Sequence, residues 1–235
     1  MRRANEERTP DVVFIVKSAI MSAVAMAPPR VRRNYWLLFG PLAGAILGFG
    51  IGSLALMIPD YSHVHQTVSE IGEIGSPARV PFAIMLFCVA ACILVFASAV
   101  RDVSVAVHRS PFAAYLIGFM AVPAAGIGVF AYPHPLHNFF GMSELIGYQA
   151  PLALALTWRS DPRAKTLVVL SWIFFALIWG AIALNLTSLI QSVWVYVRPF
   201  HGLAQRALFA AWFGWCAIVG ILLLQRKWQS HTVTG

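Results

Sequence analysis

Long apolar stretches alternate with short polar connections along most of this chain, a pattern typical of helices that cross a bilayer. Three spans are predicted at about 35–58, 80–100 and 111–132, and three more end near residues 158, 189 and 225. Each is close to the roughly 20 residues that a helix needs to cross the hydrocarbon core. We therefore expect an all-α, polytopic integral membrane protein with one six-helix domain over residues 35–225.

Glycine and proline modify two of these predicted helices. The first span repeats glycine at every fourth position, which leaves a bare ridge on one helix face: Gly40, Gly44, Gly48 and Gly52. Such a ridge lets another helix approach closely, within the chain or from a second copy in a homo-oligomer. In the third span, Pro123, Gly126 and Gly128 predict a kink or a loosened outer half.

Composition supports the membrane interpretation. Apolar residues make up 59% of the chain and charged residues only 11%, whereas about a quarter of the residues in soluble domains are charged. The net charge of +8 does not indicate nucleic acid as a partner, because the basic residues lie between apolar spans, where orientation signals are found. The three cysteines lie inside apolar runs and are predicted to pack.

The distribution of Lys and Arg predicts the orientation of the spans. Of the 17 basic residues, 14 lie on the side of the two termini and of the second and fourth connections. Only three lie on the other side: Arg79, Arg198 and Arg206. Basic loops stay in the cytoplasm, so both termini are expected to be cytoplasmic and the protein is expected in a bacterial inner membrane.

The two ends of the chain are predicted to lie outside the helical domain. Residues 1–34 form a cytoplasmic N-terminal arm, in which Lys17 and the preceding acidic residues disfavour a span or a secretory leader. Met21 begins a stretch that also suits a translation start. Residues 226–235 form a cytoplasmic tail.

Polar residues with chemical potential concentrate on the outer side, most densely in the segment from Pro133 to Glu144. A helix that begins near His137 would carry His137, Glu144 and Tyr148 on one face, with Glu144 about 10 Å further along it. A carboxylate at that depth needs a partner or water, and Arg206 is the predicted partner, with Arg198 as second choice. The candidate ligand-binding residues are Ser69, Glu70, His134, His137, Glu144, Tyr148, His201 and Arg206.

Two histidine pairs also make a metal site conceivable. His63 and His65 are two residues apart, His134 and His137 are three apart, and imidazole binds zinc and other transition metals. Neither spacing identifies a metal by itself, and the sequence lacks HExxH, G-x-S-x-G, CxxC and Gly-rich phosphate motifs. No cofactor is assigned.

Three segments of this chain resemble a bacterial six-span membrane family, domain-of-unknown-function family 998. They are the loop from Asp60 to Gly72 with Pro77, the segment Tyr132–His137, and Phe200-His201-Gly202-Leu203-Ala204-Gln205-Arg206. The resemblance covers about residues 35–225 and implies six spans without an established activity. It departs at Gln205, where an acidic residue is expected. The first loop is also similar to that of Frag1 and autophagy-modulator proteins, with Val68 in place of isoleucine, which implies lipid handling.

The function expected from these observations is binding of a lipid headgroup or a small polar ligand in an outward-facing polar pocket. A membrane-embedded hydrolase, with or without a metal, is a second hypothesis. A transporter is a third, but the deep polar residues available to it are only Gln149 and Asn185.

Overall fold

The computed structural model describes residues 34–225 and Trp228, and every structural statement below concerns these residues. The expectations for residues 1–33 and for the remainder of the tail fall outside this range. Within it, helices and turns are the only regular structure, which confirms the all-α prediction for the described chain.

Ten α-helices follow one another along the described chain, joined by turns and four 3₁₀ segments. They are α1 (Phe39–Ala55), α2 (Val68–Ile71), α3 (Arg79–Ala106), α4 (Phe112–Phe119), α5 (Ala121–Val129), α6 (Pro135–Gly147), α7 (Ala150–Trp158), α8 (Lys165–Leu186), α9 (Gln191–Val197) and α10 (His201–Leu223). The 3₁₀ segments are Tyr35–Leu38, Pro162–Ala164, Thr187–Leu189 and Arg198–Phe200.

Five helical segments of the described chain are long and apolar enough to cross a membrane: Tyr35–Ala55, Arg79–Ala106, Phe112–Val129, Pro162–Leu189 and Gln191–Leu223. Large apolar side chains cover their outer surface, including Phe49 at 82% exposure, which suits contact with lipid rather than water. These helices indicate a membrane-embedded protein. The predicted fourth span is not among the five; two residues, Tyr148 and Gln149, separate its two helices.

Proline explains both interruptions. Pro123 has no N–H to donate to the carbonyl of Phe119, and the third segment changes from α4 to α5 at Met120. The kink predicted from Pro123 is thus found as a break one turn earlier. In the predicted fourth span, Pro151 likewise cannot bond to Gly147, and α6 gives way to α7 at Tyr148 and Gln149. The segment predicted as the fourth span therefore consists of two helices separated by two residues.

The two basic connections meet at one end of the bundle. Asp161 is buried and accepts two guanidinium hydrogen bonds from Arg163, at 3.0 and 2.7 Å, while Arg109 lies 3.5 Å away. Arg109 also donates to the Ser160 hydroxyl at 2.7 Å. The Arg163 guanidinium holds the pKa of Asp161 down at about 2. Ion pairing therefore ties the α3–α4 turn to the α7–α8 turn.

The three remaining connections meet at the opposite end. Ile74 donates its N–H to the Tyr132 carbonyl at 2.8 Å, and Leu203 donates to the Val64 carbonyl at 3.1 Å. The loop between α1 and α3 thus contacts both the segment before α6 and the start of α10. We call this the loop end of the molecule, and the predicted site residues gather here.

Candidate functional site

A cavity of about 440 Å³ lies among α1, α3, α5, α6, α8 and α10. We call it the main cavity. Most of its wall is apolar, and its volume falls in the range of small-molecule sites. The polar part of its wall comes mainly from the loop end: Ser69, His137, Asn138, Glu144, Tyr148, Asn185, Ser188, His201 and Gln205. The main cavity therefore combines a hydrophobic body with a polar end.

Ser69 and His137 are joined across the wall of the main cavity. His137 is buried, at 5% exposure, and its Nε2 lies 2.9 Å from the Ser69 hydroxyl oxygen. Its other nitrogen, Nδ1, lies 2.8 Å from the Phe130 carbonyl oxygen. A carbonyl can only accept, so Nδ1 carries the proton and Nε2 accepts from Ser69. The sequence nominated both residues but gave no reason to join them.

Ser69 is positioned by its neighbours in α2. Thr67 caps this short helix together with Glu70, whose Oε1 accepts from the Thr67 hydroxyl at 3.0 Å and from its backbone N–H at 3.3 Å. Gln205 of α10 accepts the Val68 N–H at 2.6 Å. The sequence analysis missed the role of Gln205, although its place beside Arg206 in a conspicuous motif was a signal.

Glu144 lies further along α6 and lines the main cavity. Its carboxylate accepts a hydrogen bond from the Tyr148 hydroxyl at 2.8 Å, one helical turn away. Tyr148 is 2% exposed and packs edge-to-face on Trp212 at 5.5 Å. The helix face predicted to carry His137, Glu144 and Tyr148 into one cavity is therefore found.

The predicted pair of Glu144 with Arg206 is not formed, and Arg198 does not replace it. Arg206 instead donates to the carbonyl oxygens of Gln66 at 2.8 Å and Gly202 at 2.9 Å, and to the Tyr61 hydroxyl at 2.7 Å. The start of α10 packs directly on the loop, so the Gln66 carbonyl and the Tyr61 hydroxyl lie within hydrogen-bond distance of this guanidinium and no carboxylate of the described residues lies within 4 Å of it.

Tyr61 completes the contact between the loop and α10. Its hydroxyl donates to the Thr67 carbonyl at 2.6 Å, and the Arg206 guanidinium lies 5.7 Å from its ring centre. Burial raises the pKa of Tyr61, against the opposing hydrogen bond from Arg206. Burial, and then the charge of Arg206, lower the pKa of His63, which is accordingly neutral at pH 7. Arg206 thus serves the loop and does not line the main cavity.

A second, more polar pocket of about 400 Å³ opens beside the main cavity. It is lined by His65, Glu70, Trp194, Arg198, Pro199 and His201. We call it the outer pocket. His201 lines both this pocket and the main cavity, so the two are neighbours. Neither Glu70 nor Arg198 forms an ion pair within 4 Å among the described residues.

The four histidines proposed as metal ligands do not converge. No group of three or more His, Cys, Asp or Glu side chains within residues 34–225 is placed to hold one metal ion. His137 uses both nitrogens in hydrogen bonds, His65 bonds to the Pro199 carbonyl at 2.5 Å, and His134 caps α6 by accepting the Leu136 N–H at 3.1 Å. Among the described residues the four histidines therefore do not form one ligand set, and three of them, His65, His134 and His137, have hydrogen-bond partners within the protein.

The glycine ridge of α1 is used partly inside the molecule. A Cβ at Gly40 would lie 2.9 Å from the Cys216 carbonyl oxygen, and one at Gly44 would lie 3.0 Å from the Cβ of Phe213, so α10 covers this half. Gly48 and Gly52 have open space instead and border a groove of about 530 Å³ between α1 and α10. The close helix approach predicted from the ridge is therefore found within one chain, and self-association through it stays a prediction.

Comparison with known proteins adds no assignment: no protein-family model, curated protein or solved structure matches this chain. The resemblance to the six-span families therefore stays a prediction.

Proposed function

We propose that this protein binds an amphiphilic lipid, with the apolar chain in the main cavity and the polar headgroup toward the outer pocket. The observation that carries the proposal is the adjacency of the two spaces at His201. A mostly apolar cavity of about 440 Å³ disfavours a fully polar solute, because such a solute would lose its hydrogen bonds to water. A pure hydrocarbon fits poorly as well, because it would form no hydrogen bond with Ser69, Asn138 or Glu144.

The outer pocket suits the headgroup. It offers both signs of charge, with Glu70 on α2 and Arg198 before α10, and each lacks an ionic partner among the described residues. Arg198 would donate to a phosphate, and Glu70 together with Trp194 would receive an ammonium group. This arrangement favours a zwitterionic headgroup, in agreement with the expected binding of a lipid headgroup.

The finer membrane arrangement belongs to the same proposal. Helices α6 and α7 together run from Pro135 to Trp158 and pack within the bundle, so that they form a broken fourth span and bring the number of spans to six. The end of the bundle where the two basic turns meet at Asp161 faces the cytoplasm of a bacterial cell. The loop end, with its two cavities, faces outward.

A pair of glycines tests the proposal. Gly141 lines the main cavity and Gly180 lies on an exposed face of α8, and a Cβ at either would meet no atom within 4 Å. Gly141→Leu therefore adds an apolar side chain to the cavity wall from a Cβ that has open space, whereas Gly180→Leu makes the same chemical change on an exposed face. We expect Gly141→Leu to lower the lipid retained per protein by about tenfold, which corresponds to 1.4 kcal/mol, and Gly180→Leu to leave it unchanged.

The measurement is mass spectrometry of lipids that remain with the full chain after mild detergent extraction and size-exclusion chromatography. Thermal unfolding of each variant shows that both remain folded. Equal lipid retention in the two folded variants, or no retained lipid in the unmodified protein, would contradict the proposal.

A further inference from the structure

We infer that Ser69 and His137 form a nucleophile and general-base pair that cleaves carboxylic esters of amphiphiles admitted to the main cavity. The inference rests on the proposed function insofar as an amphiphile must enter that cavity. It goes further, because binding alone needs no reaction at Ser69.

The hydrogen-bond direction between the two residues is the one that nucleophilic catalysis requires. The Phe130 carbonyl oxygen, 2.8 Å from Nδ1, fixes the proton on that nitrogen. The lone pair of Nε2 then faces the Ser69 hydroxyl at 2.9 Å and is ready to take its proton. A serine next to a histidine in the opposite tautomer would accept a hydrogen bond and would not be activated.

Both residues belong to the cavity wall, so a substrate can reach the hydroxyl. Ser69 is partly accessible whereas His137 is buried behind it, at 5% exposure. Asn138 follows His137 in α6 and lines the same wall. Its side-chain amide is the kind of donor that stabilises an oxyanion. The apolar remainder of the wall selects a long acyl chain over a small ester.

Regular structure positions both the serine and the histidine. The Thr67 and Glu70 capping box fixes the start of α2, and Gln205 accepts the N–H of the residue before Ser69 at 2.6 Å. On the other side, α6 begins at Pro135, so the imidazole of His137 projects from the first turn of a regular helix. Positioning of both groups before substrate arrives reduces the entropic cost of reaction.

The reaction balances with water as the second reactant. The Ser69 oxygen bonds to the acyl carbon as its proton moves to Nε2 of His137; the bond from the acyl carbon to the alcohol oxygen then breaks, and that oxygen takes the proton. Water next attacks the acyl-serine and gives one proton to His137, the serine–acyl bond breaks, and Ser69 recovers the proton. The products are a carboxylic acid and an alcohol. A carbonyl in place of the usual triad carboxylate stabilises the imidazolium less, so we expect slow turnover.

A fluorophosphonate with a long alkyl chain tests the inference on the full chain in native membranes, because this probe forms a covalent bond only with activated serines. We expect one adduct, located at Ser69 by peptide mass spectrometry. His137→Gln should slow labelling by about 100-fold or more, as for loss of a general base. Ser69→Ala should abolish it, with thermal unfolding showing that this variant is folded.

Ser143→Ala is the matched control, because the Ser143 hydroxyl donates to its own helix at the Phe140 carbonyl, 2.7 Å away, and has no hydrogen bond to an imidazole among residues 34–225. Its labelling should equal that of the unmodified chain. Absence of a Ser69 adduct on a protein that retains lipid would overturn this inference and leave the proposed function intact. Undiminished labelling in folded Ser69→Ala would also overturn it. If His137→Gln does not fold, the Ser69→Ala comparison decides.

Discussion

The buried carboxylate of Asp161 gives the most direct quantitative test of the fold. Its side chain is 2% exposed, its Oδ1 accepts the Arg163 N–H at 3.0 Å, and its two oxygens bind the Arg163 guanidinium. Asp161→Asn preserves the size of the side chain and one acceptor oxygen for the backbone but removes the charge. The free energy of unfolding should therefore fall through the loss of the ion pairs alone.

The size of the loss follows from the pKa. The ordinary pKa of 3.8 falls to about 2 in the folded chain, and at 1.36 kcal/mol per pKa unit this corresponds to about 2 kcal/mol. A lowered pKa means that the ionised form is stabilised by folding. The contribution is therefore complete above about pH 4 and is lost as the pH falls through about 2.

The assay compares unfolding of the unmodified chain and Asp161→Asn in mixed micelles, by titration with a denaturing detergent at pH 7 and at steps down to pH 3. Asp102→Asn is the control, since Asp102 pairs only with Arg101 and their side chains are 61% and 52% exposed. Its effect should stay below about 1 kcal/mol. A loss at Asp161 no larger than at Asp102, or one that grows as the pH falls, would refute the reasoning.

Two further substitutions test the contacts around the loop end. Gly202→Ala should lower the melting temperature of the protein, because its Cβ would overlap the Gln66 carbonyl oxygen and push the loop off α10. Gly48→Ala is the control and should leave the melting temperature unchanged or raise it, because its Cβ has open space. Equal shifts in the two variants would contradict the close packing at Gly202. Tyr148→Phe should cost about 1 to 3 kcal/mol in the same unfolding assay, because the Glu144 carboxylate loses the 2.8 Å hydrogen bond from that hydroxyl; an unchanged stability would show that this bond contributes nothing.

Apolar patterning was sufficient to predict the helical class and most helix positions, because bilayer crossing imposes length and composition directly on sequence. It did not predict the break between α6 and α7. Pro151 was the available signal, because it has no N–H to donate to the carbonyl four residues earlier, here that of Gly147. The effect of that missing hydrogen bond depends on where the helix begins and ends. The position of the break therefore becomes clear only when the helix register is known.

The site was predicted as a location and not as a set of contacts. The helical spacing of His137, Glu144 and Tyr148 is local and could be read from the sequence. The bond from Ser69 to His137 joins residues 68 positions apart and depends on how the first loop folds over α6. Arg206 was assigned a carboxylate partner from its charge and its position on the outer side, but it binds two neutral carbonyls instead, one in the loop and one in α10.

The hydrogen bond from Val68 to Gln205 changes the significance of the residue at position 205. The resemblance to the six-span family led us to expect an acid there, which suggested that glutamine had replaced a proton donor or a charge. In the structure the side-chain oxygen of Gln205 accepts the Val68 N–H at 2.6 Å. Glutamate and glutamine both have that oxygen at the same distance along the side chain. Glutamate in place of Gln205 would therefore keep this acceptor, whereas alanine would remove it and free the backbone beside Ser69.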